Sequence, residues 1–172
     1  MARGREAGVP LIDIPAALRA LAEGGVEFIV VGGIAATAHG STRLTVDLDV
    51  AYARTPENIE RLVKALAPFS PYLRGAPPGL PFRWDPETIR NGLNFTLTTS
   101  LGDLDLLGEI TGGGSYENLL SDSTPVAAFG VQCRCLNLDR LIQVKRAAGR
   151  PRDLEAIAEL EALREERDAR RG

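Results

Sequence analysis

A chain of 172 residues with 44% hydrophobic and 25% charged residues is long enough to bury one ordinary core, and it reads as a single domain over residues 1–172. A net charge of −3 excludes a uniformly positive coat for general nucleic-acid binding and leaves room for a local basic surface. No stretch approaches the roughly 20 apolar residues that cross a bilayer, and the N-terminus, with Arg3, Arg5 and Glu6 ahead of a short amphipathic run, lacks the apolar core of a signal peptide, so a cytoplasmic protein with no membrane partner is expected.

Leu11, Ile14, Ala17, Leu18 and Leu21 recur at helical spacing, and Gly24-Gly25 ends that first helix. Glu27-Phe28-Ile29-Val30-Val31 reads as a buried strand running straight into Gly32-Gly33. Small residues Ala35, Ala36 and Ala38 then suit a short helix close to the glycine turn, with His39, the sole histidine, as a hydrogen-bonder at its end. The next strand, Val46 to Ala51, turns Val46, Leu48 and Val50 toward a core and projects Asp47 and Asp49 together from the other face, because the side-chain period of a strand is two. Thr55-Pro56-Glu57-Asn58 opens a helix to about Leu66: threonine caps, proline suits the first position, and an acid suits the first turn.

The proline-rich stretch from Phe69 to Pro86 predicts an irregular connection with a short extended piece at Phe82-Arg83-Trp84. One helical turn from Pro86 to Arg90 precedes the alternating strand Leu93 to Thr99. Gly102 breaks the chain; Asp103 reads as a turn residue and Asp105, between two leucines, as part of the returning strand. After the joint Gly112-Gly113-Gly114 come a short helix from Tyr116 to Leu120 and a hairpin of Val126 to Phe129 with Val131 to Leu136. Cys133 and Cys135 share one buried face, and their spacing suits core packing better than a disulfide, zinc or redox pair. Tyr116 and Trp84 read as packing residues. Asn137 can cap a helix carrying Leu138, Leu141, Ile142, Val144 and Lys145 as far as Gly149. Pro151 opens a last helix with Leu154, Ile157, Leu160 and Leu163 inward, and the charged tail from Arg164 is expected to fray.

Two carboxylates held a few ångström apart repel, so such a pair shares a proton, binds a divalent metal or stays in water. A lone pair of this kind on a strand is more often a solvated edge than a metal site. Gly32-Gly33 and Asp105 change that balance. A glycine pair between strand and helix lets the backbone approach an anion, and N–H groups at a helix start favour phosphate oxygens. Lysine occurs only at Lys64 and Lys145, while Arg supplies the other 18 of 20 basic side chains, a usage that suits a GC-rich genome and makes Lys145 stand out. On an amphipathic helix Lys145 reads equally well as a solvated neighbour of Asp139 or Asp153.

Gly32-Gly33, the short helix, Arg43-x-Thr45-x-Asp47-x-Asp49 and a later strand bearing Asp105 between hydrophobic residues resemble the nucleotidyltransferase superfamily of DNA polymerase β. Leu141-Ile142-x-x-Lys145-Arg146-x-x-x-Arg150-x-x-Asp153-Leu154 resembles a motif of its minimal bacterial members from toxin–antitoxin and abortive-infection systems. The resemblance implies an α+β nucleotidyltransferase fold, a mixed central sheet flanked by helices with a C-terminal helical segment. Its catalytic core would span about 11–110, with the hairpin and helices at about 111–172. It also implies a two-metal Mg²⁺ site in which Asp47 and Asp49 hold the ion with the nucleotide, and Asp105 completes the second position and helps deprotonate the acceptor hydroxyl. Gly32, Gly33, Arg43, Thr45, Lys145 and Asp153 would attend the nucleotide: Lys145 as a point charge on the triphosphate, Asp153 orienting Lys145 or Arg150, and Arg43 and Thr45 near phosphate or ribose. The implied partners are an NTP such as ATP, an acceptor hydroxyl on RNA (tRNA included) or on protein, and a cognate antitoxin. Most members carry serine after the first glycine of the turn; with Gly33 there, phosphate binding rests on backbone amides. A second class of function keeps the same fold without catalysis, as a nucleotide- or RNA-binding module or an antitoxin-like partner-binding module.

Overall fold

The computed structural model describes residues 11–127 and 129–172, so Arg3, Arg5 and Glu6 lie outside the described residues. Helix α1 (Ile14–Glu23) starts at Asp13, whose side chain accepts from Ala16 N, and ends at Gly24. Strand β1 (Phe28–Val31) is buried at all four positions, as an uninterrupted apolar strand covered on both faces must be. It passes directly into α2 (Gly32–Ala38). Strand β2 (Asp47–Tyr52) and helix α3 (Pro56–Leu66), capped by Thr55 on Asn58 N, follow. Then come β3 (Tyr72–Leu73), α4 (Pro86–Asn91), β4 (Asn94–Thr99), β5 (Gly102–Leu107), α5 (Tyr116–Leu120), β6 (Ser123–Val126), β7 (Cys133–Leu136), α6 (Leu138–Ala148) and α7 (Asp153–Arg171).

The seven strands form one mixed sheet in the order β3-β4-β5-β2-β1-β7-β6. Strand β2 runs antiparallel to β1 and parallel to β5, while β1 runs parallel to β7. The α1 and α3 helices bury Leu18, Leu21, Ile59, Leu62 and Leu66 in the core. Asn58, fully buried, knits this layer to the sheet: its Oδ1 accepts from Glu27 N at 2.7 Å and its Nδ2 donates to Ala53 O at 2.7 Å. Satisfying these backbone groups matters because a buried unpaired one costs about 1–3 kcal/mol. No helix among the described residues is long and apolar enough to cross a membrane. Both cysteines are buried free thiols, and burial pushes Cys135 up to about 12, which keeps it protonated and inert.

Several local expectations are corrected. Leu11 precedes α1 and is exposed, and Ile12 enters the core in its place. Val46 is 45% exposed because β2 begins one residue later, at Asp47. Phe82-Arg83-Trp84 forms no strand; Tyr72–Leu73 pairs with β4 instead, and Trp84 donates its indole N–H to Val63 O at 2.9 Å. Asp103 is a strand residue of β5 rather than a turn residue. The hairpin starts earlier than expected, with Ser123 opposite Leu136. Asn137 takes the cap position of α6 but its side chain pairs with Thr124 instead of the helix backbone. In α7 the buried positions are Asp153 and Leu160, one helical face, so Leu154 is rotated outward and 67% exposed. The tail does not fray: α7 continues to Arg171, with Arg164 and Arg167 at 3.5 and 3.3 Å from Asp139 of α6.

Candidate functional site

The centre of the site is set by backbone register. Parallel pairing places Asp47 beside Asp103 and Asp49 beside Asp105, and alternation sends all four carboxylates to one face while Leu48, Val50, Leu104 and Leu106 are buried on the other. Asp47, Asp49 and Asp105 converge: one oxygen from each lies within 4.8 Å of the other two. Burial, followed by the charges of Asp47 and Asp105, pushes Asp49 up to about 8, with Lys145 opposing. Burial and then Asp105 also raise Asp47, against the pull of Arg74. A half-buried cluster of carboxylates that still resist ionising together beside Arg74 and Lys145 is short of positive charge. Its donor set, all oxygen, suits a hard divalent cation.

The glycines make room for this cluster. Gly32 has φ +67°, and a Cβ there would stand 2.1 Å from Asp49 Oδ2. A Cβ on Gly33 would stand 2.3 Å from Thr45 Cγ2, so Thr45 already fills the space a serine side chain would need. Because α2 has seven residues, the turn's main contribution is close approach of the backbone rather than a helix dipole.

Beside the acids opens a groove of 410 Å³, walled by Gly32, Gly33 and Asp49 on one side and by Leu141, Val144 and Lys145 of α6 on the other, with Arg150 also lining it. Asp153, 4% exposed, anchors both cations: Lys145 Nζ is 3.7 Å from its Oδ1, and Arg150 Nε donates to its Oδ2 at 2.9 Å. Burial alone would raise Asp153, but the Arg150 hydrogen bond and the charges of Lys145, Arg150 and Arg152 outweigh it and hold the carboxyl below its ordinary range. Arg43 is not brought to the acids. It pairs with Glu155 of α7 at 3.1 Å and, with Thr45, lines a second groove of 350 Å³ that shares Gly33 and Lys145 with the first. His39 Nε2 lies 2.8 Å from Leu136 O, a structural contact between α2 and β7.

One residue of the site had no sequence signal. Arg74, just past β3, donates from Nη2 to Asp105 Oδ1 and to Leu97 O, both at 2.8 Å, and its Nε lies 3.2 Å from Asp103 Oδ2. It stands in the stretch read as irregular, and a two-residue strand is too short for periodicity to reveal.

No protein-family model matches the sequence, and no curated protein is significantly similar to it. Among solved structures, the chain matches the crystal structure of a "putative nucleotidyltransferase" from Thermotoga maritima with a TM-score of 0.56 at 14% identity, over 85% of this chain and 88% of that chain. At this identity the likeness is one of fold. The chain therefore carries a nucleotidyltransferase-like fold, with its converging aspartates on two neighbouring strands of the sheet.

Proposed function

We propose that the protein is a Mg²⁺-dependent nucleotidyltransferase that moves a nucleoside monophosphate from an NTP to a hydroxyl of RNA or protein. The observation that supports this most is the convergence of Asp47, Asp49 and Asp105 beside a groove lined by Lys145 and Arg150. Asp47, Asp49 and Asp105 would hold the divalent ion, which when bound neutralises triphosphate charge and polarises the reacting phosphorus. The acceptor oxygen attacks the α-phosphorus, the bond to the bridging oxygen breaks, and pyrophosphate leaves. Asp105, on the strand farther from the glycine turn, would take the hydroxyl proton, a role that the sequence resemblance supplies. Gly32 and Gly33 admit phosphate oxygens to the backbone, and Lys145 and Arg150 meet the negative tail. The apolar side chains of Leu141 and Val144 restrict water on the α6 side. A role as a toxin with a cognate antitoxin belongs to this reading through the sequence resemblance alone.

The test is incubation with each α-labelled NTP, Mg²⁺ and total cellular RNA or protein. Transfer of label to a macromolecule is expected, and Asp47→Ala or Asp105→Ala should abolish it with the thermal melt retained. Nucleotide binding without movement of label would instead identify a non-catalytic binding module.

A further inference from the structure

Arg74 is a cation already installed at the third carboxylate. Its Nη2 holds Asp105 Oδ1 at 2.8 Å, so one of that side chain's two oxygens is committed before any metal arrives. The guanidinium spans Asp103 and Asp105, two residues apart on one face of β5, and the Nη2 that holds Asp105 also donates to Leu97 O. The grip is nevertheless incomplete. Nε is buried with no hydrogen-bond partner among the described residues, because its 3.2 Å approach to Asp103 has the distance of an ion pair without hydrogen-bond alignment. Arg74 also sits at the edge of the sheet. Strand β3 is a two-residue edge, continued on the Arg74 side by the bond from Arg74 N to Thr96 O, and nothing lies within 4 Å of a Cβ built on the following Gly75 or Gly79.

Resting on the metal reading above, we propose that Arg74 is a positioning residue that gates the second cation position: while it holds Asp105 the aspartate cluster takes one divalent ion, and a second enters only as Arg74 withdraws toward Asp103. The physical reason is competition. A guanidinium and a divalent ion ask for the same carboxylate oxygens, and the fixed positive charge of Arg74 repels the newcomer. Asp103 is the residue that can keep Arg74 paired after it leaves Asp105.

Mn²⁺ binding, followed through the electron paramagnetic resonance signal of the free ion, tests this without reference to activity. The wild type should take one ion with a second at least tenfold weaker. Arg74→Gln should tighten the second ion at least fivefold and move the first by less than twofold. Arg74→Lys, which restores a point charge, should fall between them, and Asp103→Asn should not tighten the second ion. Equal tightening of both ions in Arg74→Gln would mean that Arg74 acts only as a charge on the whole cluster, and weakening of either would mean that it builds the site; each overturns the gate. Unchanged binding in both Arg74 variants, with wild-type melts, overturns it as well while leaving the metal site standing. A wild type that binds no Mn²⁺ would remove the metal reading itself.

Discussion

The two sides of the groove are held by different means. On one side Asp49, with Asp47 and Asp105 beside it, projects from strands whose register is fixed by hydrogen bonds and whose opposite face is packed into the core. On the other, Lys145 and Arg150 are long side chains aligned by one buried carboxylate, Asp153. Acids that repel one another need a rigid frame, since the energy of the cluster falls as soon as they drift apart. Cations that would, on the proposed function, follow a moving triphosphate need only an anchor.

Breaking the rigid side should have the largest effect. Gly32→Ala would place a methyl on Asp49 and force a left-handed backbone on alanine, at a cost of about 1–3 kcal/mol from strain alone. Transfer should fall roughly a hundredfold or more, the scale of a misplaced reacting group. The thermal melt and the labelled-NTP assay together check this, and full activity in a stably folded variant would show that the close approach of Gly32 to Asp49 is not needed. Breaking the adjustable side should be milder for chemistry. Asp153→Ala leaves Lys145 and Arg150 without their shared partner, and because the half-exposed Arg150 can turn to water the stability loss should be about 1–2 kcal/mol. KM for the NTP should rise about tenfold, equivalent to about 1.4 kcal/mol of binding, with kcat changed less. A loss of stability with KM unmoved would confine Asp153 to packing.

A smaller effect sharpens the electrostatic half of the comparison. Asp49 is raised in the folded protein to about 8 from an ordinary 3.8, so across that interval the folded form binds more protons than the unfolded form. The contribution is fully present below the lower value and is lost as pH rises through the upper one. Metal-free protein should therefore lose about 3 °C of Tm or more between pH 6 and pH 9, corresponding to about 1 kcal/mol. Asp49→Asn should flatten the slope, and Mg²⁺ should raise Tm more at pH 9 than at pH 6. A metal-free Tm that climbs over this range would show that Asp49 is already ionised at neutral pH.

This division also governs what could be read from the sequence. The period of two announced Asp47 and Asp49 as a pair with Leu48 and Val50 behind them, and the leucines around Asp105 did the same for β5. Glycines before a short run of alanines marked the turn, while the requirement for Gly33 was invisible because it comes from Thr45, twelve residues on and in contact only after folding. Edges were the weak point. Val46 and Leu154 each lie one step from an element boundary, where apolar character no longer decides orientation, and Asp153 took the inward position because it has two basic partners there. Arg74 shows the limit of periodicity: its role depends on a two-residue edge strand and on carboxylates of β5, roughly thirty positions later.

The most direct measurement is anomalous diffraction from crystals soaked in Mn²⁺. A peak within bonding distance of carboxylate oxygens from Asp47, Asp49 and Asp105 is expected, and it should vanish in Asp49→Asn crystals. A map with no peak at these three side chains, at Mn²⁺ concentrations that saturate surface sites, would contradict the assignment of this cluster as a metal centre.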